Sequence, residues 1–310
     1  MDGLATVASA PRLIALAGPT ASGKSALALR IARARPAEIV SCDSLQVYRG
    51  LDVGSAKPSA RDRATVPHHL IDVVDPDQDF SAADYGRLGR QAIADIHSRG
   101  RVPIVAGGTG LYLRALLRGL FEGPARDEPL RRRLERMADR YGDARVHRIL
   151  ARVDPESAAR IEVRDRVRVV RALEVYRATG RPIGAHHRSV AGALQGFEWR
   201  VLVLDPGRER LRAAVEERTA AMLAGGLIDE TRRLRERYPG ARPLDAIGYR
   251  QASAVVRGER TVEQAQRDIV ALTMRYAKRQ RTWFRHQESA TWFADASQAE
   301  EAALRWLDGA

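Results

Sequence analysis

The sequence predicts an α/β fold, in which a parallel sheet is flanked by helices and accompanied by a helical insertion domain. Three observations support this prediction. Short apolar runs alternate with segments of helical period along most of the chain, which is typical of β-α repeats. A glycine-rich loop directly follows the first run. A long central segment contains helical patterns and no strand pattern.

Four apolar runs are predicted to form the strands of this sheet. They are RLIALAG at 12–18, AEIVSCDS at 37–44, RVPIVAGGTG at 101–110 and FEWRVLVLDP at 197–206. Ligands of open parallel sheets bind at the carboxyl ends of the strands. We therefore expect three residues at such ends to converge, although they are far apart in sequence: Gly18, Asp43 and Thr109.

Helical patterns fill the intervals and the centre of the chain. KSALALRIARAR and LYLRALLRGL follow the first and third strands, and the C-terminal third is again helical. In the central segment, EPLRRRLERMADRYGD and ARVHRILARVDPESAARI each have the spacing of one amphipathic helix. We therefore expect a catalytic core of residues 1–124 and 197–310, and a mainly helical insertion of residues 125–196.

The glycine-rich loop has the sequence GPTASGKS and fits the phosphate-binding pattern G-x-x-x-x-G-K-[ST]. In such loops backbone N–H groups form a concave nest, and the following helix adds its positive end. Lys24 supplies a point charge, and Ser25 can bind Mg²⁺. A strand before the loop and a helix after it predict a P-loop NTPase-like core. The predicted phosphate-binding residues are Gly18, Pro19, Thr20, Ala21, Ser22, Gly23, Lys24 and Ser25.

The residues beyond the second and third strands bear on the type of reaction. NTPases usually have a Mg²⁺-binding Asp after an apolar strand, whereas this third strand ends in Gly107-Gly108-Thr109, so ATP hydrolysis is not favoured. Asp43 follows the second strand, where a carboxylate can accept a proton from a nucleophile. A kinase needs such a base, and so does an enzyme that transfers a group from a diphosphate. A cap on the next turn is the structural alternative.

The composition indicates a polyanionic partner. Lys and Arg number 52 against 39 Asp and Glu, a formal charge of +13 that favours RNA or DNA, although Arg-rich codon usage would also produce it. The only lysines are Lys24, Lys57 and Lys278, and the sequence assigns no role to Lys57. The single Cys42 excludes an internal disulfide and is typical of a cytoplasmic protein. No apolar run approaches the roughly 20 residues of a membrane span.

Two predicted helices carry basic faces. In the first, Arg164, Arg168 and Arg171 lie at i, i+4 and i+7, opposite a predicted apolar stripe of Val167, Val170 and Leu173. In TMRYAKRQRTWFRH, the basic face comprises Arg275, Lys278, Arg279 and Arg285, and the aromatic face comprises Tyr276, Trp283 and Phe284. We expect the aromatic face to pack in the core. The basic faces are either solvated surface or contacts to nucleic-acid phosphates.

The ordered set of motifs resembles a known family. The motifs are GPTASGKS, SCDSLQVYRGLDVGSAKP, VPHHLIDVVDP, FSAADY, VAGGTGLYLRALLRGL, RVVRALEVYRATG, AIGYRQ and AKRQRTWFR. Together they cover about residues 12 to 285 and are similar to the bacterial tRNA dimethylallyltransferases of the IPP transferase family. The resemblance implies transfer of a dimethylallyl group from dimethylallyl diphosphate to the N6 amine of the adenosine 3′ of the anticodon in tRNA.

The resemblance also implies roles for individual residues. The P-loop would hold the diphosphate leaving group, with Mg²⁺ as cofactor on Ser25. The implied catalytic residues are Asp43 as base, together with Thr109 and Arg218 toward the diphosphate. Arg218 follows from the resemblance alone. The implied tRNA-binding residues are Asp43, Ser44, Leu45, Gln46, Thr109, Arg131, Arg168, Arg171, Arg250, Gln251, Arg275, Lys278 and Arg279.

Two other enzymes and one binding module remain as alternatives. An adenylate isopentenyltransferase of the cytokinin type would use the same donor, but its acceptor needs no helical insertion and no basic helices. A small-molecule kinase would use Asp43 as base and consume ATP. A non-enzymatic RNA-binding module would leave the P-loop, Asp43 and Thr109 without a task. We expect tRNA and dimethylallyl diphosphate as partners, no membrane, and a monomer in the cytoplasm.

Overall fold

A six-stranded parallel sheet forms the centre of the larger part of the molecule. The computed structural model describes residues 10–121, 123–124, 126–186 and 192–309, and these counts refer to them. The strands are β1 (Arg12–Ala17), β2 (Ala37–Cys42), β3 (His68–His69), β4 (Val102–Gly107), β5 (Glu198–Leu204) and β6 (Ala290–Phe293). Their order is β3-β2-β4-β1-β5-β6, and every pair is parallel. The predicted fold class is confirmed.

Helices connect and cover the strands. In the larger part they are α1 (Lys24–Ala34), α2 (Ala60–Thr65), α3 (Ala82–Ser98), α4 (Gly110–Leu117), α10 (Arg208–Ala224), α11 (Leu227–Arg237), α12 (Tyr249–Val256), α13 (Val262–Gln287) and α14 (Ala296–Asp308). In the central segment they are α5 (Glu128–Tyr141), α6 (Asp143–Val153), α7 (Pro155–Arg160), α8 (Arg166–Thr179) and α9 (Ile183–His186). No helix in the described part of the chain is long and apolar enough to cross a bilayer.

The sheet is buried on both faces, which explains why its strands are continuous apolar runs. In β1, Leu13 and Ala15 belong to one apolar cluster, whereas Ile14 and Leu16 belong to a second. Successive side chains of a strand point to opposite faces, so the two clusters are the cores above and below the sheet. This double burial holds the carboxyl ends of the central strands in fixed positions.

The structure adds two strands that the sequence prediction lacks. β3 has only two residues and pairs with β2 through Ile39 and Val40. β6 follows the long helix α13 and pairs with β5. Both are edge strands with half-buried or exposed side chains. A strand of two to four residues is too short for an alternating pattern to distinguish it from a loop.

The chain divides into two compact units, Met1–Leu117 with Leu194–Ala310, and Arg118–Ala193. The second unit, which we call the helical unit, has its own apolar core around Leu134, Leu150 and Val170. The predicted single helix over ARVHRILARVDPESAARI is wrong. α6 ends at Val153, and Asp154 caps a new helix by accepting a bond from Ser157 N at 3.0 Å. Pro155 occupies the first position of that helix, where its missing N–H costs nothing.

The predicted pattern of α8 needs two corrections. Asp165 caps the helix, so Arg164 precedes it and does not belong to its face. Val167 is 73% exposed, whereas Val169, Val170 and Leu173 are buried. The burial of adjacent valines shifts the apolar stripe away from Val167.

Candidate active site

Three neighbouring strands present the predicted site residues at one edge of the sheet. β4 lies between β2 and β1, so the turn after it is next to Asp43 on one side and to the P-loop on the other. Thr109 N donates to Cys42 O at 3.2 Å, and Thr109 Oγ1 accepts from Ser44 N at 3.1 Å. A Cβ on Gly107 would lie 2.0 Å from Cys42 O, so glycine permits this close approach. The structure therefore brings the Asp43 and Thr109 segments together.

The P-loop has the strained backbone of an anion-binding nest. Ala21 has φ +63° and Gly23 has φ +90°, and α1 begins at Lys24 immediately after them. The first N–H groups of a helix lack intrahelical partners and carry partial positive charge. Ser22 Oγ is buried and has no hydrogen-bond partner among the described residues. This arrangement can bind phosphate oxygens without changing its backbone.

Lys24 is a half-buried cation within this loop. Its Nζ donates to Pro19 O at 3.0 Å. Burial and the neighbouring Arg218 lower the pKa of Lys24 to about 8, while Asp43 and Cys42 oppose the shift. The charged form is thus disfavoured in the free protein, and a bound anion would favour it.

Arg218 reaches the same region from α10. One of its Nη atoms donates to Ser55 O at 3.4 Å. Burial lowers the pKa of Arg218, and Asp43 raises it. Two cations and one carboxylate therefore occupy a confined space at the end of the sheet. Because like charges repel there, a polyanion such as a diphosphate relieves an existing electrostatic cost.

Asp43 combines a structural contact with a free acceptor position. Its Oδ1 accepts from Leu45 N at 2.8 Å, which is the capping contact expected of an Asp at the start of a turn. A carboxylate has two oxygens, so this bond leaves Oδ2 able to accept a proton. Capping and base catalysis are compatible here, and the geometry supports both.

Tyr276 of α13 is a site residue that the sequence interpretation assigned only to packing. Its hydroxyl hydrogen-bonds to Thr109, and burial together with Asp43 raises its pKa to about 12. A neutral phenol is therefore in contact with the Thr109 turn. Phe284 is buried in the core and Trp283 packs against it, as predicted for the aromatic face.

Gln46 is held inside the protein. Its Oε1 accepts from Ser41 Oγ at 2.9 Å, and its Nε2 donates to Ala56 O at 3.3 Å. Gln46 thus ties β2 to the following loop, near the Ser55 carbonyl that accepts from Arg218. The predicted contact of Gln46 with tRNA stays a prediction, and it requires these bonds to rearrange.

Lys57 has a structural environment. Its Nζ donates to Tyr48 O at 2.7 Å, Asp52 Oδ1 at 2.7 Å and Asp72 Oδ1 at 2.6 Å, and the side chain is only 4% exposed. The buried Glu230 supports the same loop by accepting N–H bonds from Val53 at 2.8 Å and other residues nearby. The sequence therefore retains Lys57 in the loop that carries the Ser55 carbonyl.

The predicted tRNA-binding residues of the larger unit differ in their surroundings. Arg275, Lys278 and Arg279 are exposed on α13, and Arg250 is exposed at the start of α12. Gln251 is buried, and its Oε1 accepts from Gly248 N at 2.9 Å as part of the N-terminal cap of α12. The arginines can reach a ligand directly, whereas Gln251 has a local structural contact.

In the helical unit, Arg131 is engaged in an ion pair. Its Nε and Nη2 contact the two carboxylate oxygens of Glu174 at 2.5 and 2.6 Å, and Glu174 is 1% exposed. Arg171 donates to Pro124 O at 3.0 Å and lies 3.6 Å from Glu174. Arg168 is 67% exposed. Of these three, Arg168 has the side chain that is most open to an external phosphate.

The residues present fit a magnesium ion that is bound mainly through a substrate. The described part of the chain contains no group of three His, Cys, Asp or Glu residues able to hold a metal. Mg²⁺ at phosphate sites usually keeps several waters and takes few protein ligands. Ser25 is exposed in the first turn of α1, beside the P-loop. Its hydroxyl suits the single protein ligand of such an ion.

Comparisons with known sequences agree on one family. Residues 46–287 match the model of a family described as IPP transferase. The tRNA dimethylallyltransferase of Anaeromyxobacter sp. (strain K) is 50% identical over 298 residues, which cover 96% of this chain and 97% of that protein. The tRNA dimethylallyltransferase of Myxococcus xanthus (strain DK1622) is 47% identical over 293 residues, 94% of this chain and 95% of its own.

Solved structures give the same result. The tRNA delta(2)-isopentenylpyrophosphate transferase of Staphylococcus epidermidis matches with a TM-score of 0.68 and 32% identity, over 96% of this chain and 99% of that one. A eukaryotic dimethylallyltransferase acting on tRNA matches with a TM-score of 0.71 and 27% identity, over 88% and 70% of the two chains. The resemblance inferred from the motifs is confirmed, and the chain belongs to the IPP transferase family.

Proposed function

We infer that this protein is a prenyltransferase that transfers a dimethylallyl group to tRNA. The observation that carries the inference is the grouping of an anion-binding loop, two cations and a carboxylate at one edge of the sheet. Its relatives along nearly the full chain are named tRNA dimethylallyltransferase. Neither the kinase nor the cytokinin-type alternative is favoured.

We propose dimethylallyl diphosphate as the donor and the N6 amine of the adenosine 3′ of the anticodon as the acceptor. The bond from the allylic carbon to the diphosphate oxygen breaks, and a bond from that carbon to N6 forms. The amine proton passes to Asp43, and diphosphate leaves. The N6 lone pair is delocalised into the purine, so removal of the proton and correct orientation both matter.

Negative charge on the leaving diphosphate grows as the allylic carbon departs. Lys24, Arg218, Thr109 and the N–H groups of the P-loop are suited to stabilise this charge. Water is largely excluded around Lys24 and Arg218, as the direction of their pKa shifts indicates, so each interaction is stronger than at an open surface. Ser25 would hold Mg²⁺, which when bound neutralises part of the diphosphate charge.

The acceptor base must leave its stack to reach a site at the end of a buried sheet. This extrusion costs a few kcal/mol in a duplex and less in a single-stranded loop. The exposed basic residues of α13 would contact the phosphate backbone and fix the register of the tRNA. We propose that the protein acts as a monomer in the cytoplasm.

The test is transfer of labelled dimethylallyl diphosphate, with Mg²⁺, to two acceptors in parallel. One is an unmodified tRNA transcript with adenosine 3′ of its anticodon, and the other is AMP. We expect label in the tRNA alone, and none when guanosine replaces that adenosine. Label in AMP alone would establish the cytokinin-type alternative. Label in neither, with ATP consumed by the wild-type protein, would support a kinase.

A further inference from the structure

The side chain of Gln280 connects two loops of the proposed diphosphate site. Its Oε1 accepts from Thr20 N in the P-loop at 2.9 Å, and its Nε2 donates to Gly108 O at 2.8 Å. Gln280 is 6% exposed and lies on the inner face of α13, near the buried residues Ala277 and Phe284. One amide thus joins segments that are 260 and 172 residues away along the chain.

Among the side chains of this length, only an uncharged amide suits both bonds. It contains one acceptor and one donor group at the same end. An ionised carboxylate cannot donate to Gly108 O, and an amine cannot accept from Thr20 N. The contact is also close, because a Cβ on Gly108 would lie 2.3 Å from Gln280 Nε2. The glycine and the glutamine are therefore matched.

Each loop leads directly to a residue of the proposed chemistry. Thr20 immediately precedes the strained segment of Ala21 and Gly23, after which Lys24 begins α1. Gly108 immediately precedes Thr109. The separation of these loops decides whether the P-loop N–H groups and the Thr109 hydroxyl can contact the same diphosphate. A misplacement of about 1 Å can lower a rate by about 100-fold.

We propose that Gln280 is a positioning residue that sets the distance between the P-loop and the Thr109 turn, and so makes them one diphosphate-binding unit. The proposal rests on the proposed function. It assigns Gln280 no contact with the reacting atoms. Both of its bonds are to backbone, so the effect of losing it passes through the loops.

The first experiment measures binding of inorganic pyrophosphate with Mg²⁺ to Gln280→Leu, together with kcat and KM for dimethylallyl diphosphate. Two buried hydrogen bonds are lost, so we expect pyrophosphate binding and kcat/KM to fall about 10- to 100-fold, with KM for tRNA unchanged. The matched control is Gln264→Leu on the same helix, which loses the contact of Gln264 Oε1 with Thr261 N at 3.0 Å. Equal values for the two variants would overturn the proposal.

The second experiment uses Gln280→Glu and does not depend on how well the leucine variant folds. A protonated carboxyl can accept and donate as the amide does, whereas the ionised form cannot donate. Burial raises the pKa of a carboxyl. We expect the affinity for pyrophosphate, divided by that of the wild type at each pH, to rise as the pH falls from 8 to 6. A ratio that does not change with pH would contradict the proposal.

The two proposals fail differently. If the wild type binds pyrophosphate but does not modify tRNA, the proposed function fails, while the variants still test Gln280. If the wild type modifies tRNA and Gln280→Leu behaves like Gln264→Leu, only the role of Gln280 fails. Absence of pyrophosphate binding by the wild type would overturn both.

Discussion

At the residue scale, the site holds Lys24 and Arg218 near a single carboxylate, Asp43. Repulsion and burial disfavour the charge on Lys24, and its pKa falls to about 8. An enzyme that binds an anion benefits from such a residue, because the ligand supplies the interaction that the free protein lacks. The free site is therefore electrostatically prepared for a polyanion.

Proton uptake tests this state of Lys24. Near pH 8 about half of the Lys24 side chains are charged in the free protein, and a bound diphosphate should charge the rest. We expect uptake of about half a proton per pyrophosphate bound at pH 8 and almost none at pH 6.5. Calorimetry in buffers of different ionisation enthalpy measures it. Lys24→Arg is the reference, because arginine stays charged, and equal uptake by both proteins would contradict the shift.

The same shift affects stability with a definite sign. The pKa of Lys24 is lowered on folding from 10.5 to about 8, so the unfolded chain binds more protons between these values. The contribution of Lys24 to the free energy of unfolding must therefore increase as pH rises through this window. Arg218 contributes to this effect, since it lies near Lys24 and disfavours its charge.

Replacement of Asp43 tests the proposed base. Asp43→Asn keeps an oxygen that can accept from Leu45 N but removes the proton acceptor. We expect kcat to fall roughly 10²- to 10⁴-fold, with tRNA affinity nearly unchanged. The control is Asp229→Asn, an exposed carboxylate of α11. A fall of less than tenfold in kcat would show that Asp43 is not the base.

The sequence predicted single residues well where a local motif defines them. The P-loop pattern and the strand ends led to Lys24, Asp43 and Thr109. Gln280 was missed because its partners are distant in sequence, although a glutamine between buried positions of an amphipathic helix was a usable signal. Likewise, nothing local to Arg131 indicates that Glu174 pairs with it.

At the scale of elements, α13 has two faces with different tasks. Its inner face contacts the loops of the site through Tyr276 and Gln280, and its outer face exposes Arg275 and Lys278. A straight helix of 26 residues joins these faces rigidly. Contact with tRNA on one face and the geometry of the diphosphate site on the other are therefore properties of the same element.

The outer face of α13 is tested by salt dependence. Each phosphate contact that is lost reduces the steepness with which tRNA affinity falls with salt. We expect Arg275→Ala with Lys278→Ala to weaken tRNA binding and to reduce the slope of log K against log salt by up to about 2. The control replaces two exposed, ion-paired arginines elsewhere, Arg257 and Arg305. An unchanged slope would remove α13 from the interface.

In the helical unit, the pair of Arg131 and Glu174 joins α5 to α8. Glu174→Ala would leave the mostly buried guanidinium of Arg131 without its bidentate partner. We expect a loss of about 3 kcal/mol in the free energy of unfolding, because a buried charge is then unpaired. The control is Glu156→Ala, whose exposed pair with Arg160 should contribute less than about 1 kcal/mol. Denaturant unfolding distinguishes the two, and equal losses would contradict a structural role.

Element prediction succeeded where runs were long and failed where they were short. The four long strands of the sheet follow from continuous apolar runs that are buried on both faces. β3 and β6 are too short to show a period, and their pairing with β2 and β5 is set by the sheet. The break at Asp154 and Pro155 was visible as a proline with a capping residue before it, but helical spacing continued across it.

At the scale of the whole molecule, positive charge is concentrated in the helical unit. Residues 118–193 contain 18 arginines and 11 acidic residues, so they carry +7 of the formal +13. The composition predicted a polyanionic partner but not which surfaces face it, because many arginines are engaged in ion pairs such as Arg166 with Asp139. Only the folded structure distinguishes these from exposed arginines such as Arg168.

The environment of the three lysines has a consequence for covalent chemistry. Lys57 is enclosed by three oxygen acceptors, and an acylating reagent needs an accessible, uncharged amine. Lys24 loses its proton near pH 8. Acylation under mildly alkaline conditions should therefore modify Lys24 and leave Lys57 untouched until the chain unfolds. Bound pyrophosphate should protect Lys24, which makes one amine a chemical reporter of site occupancy and another a reporter of folding.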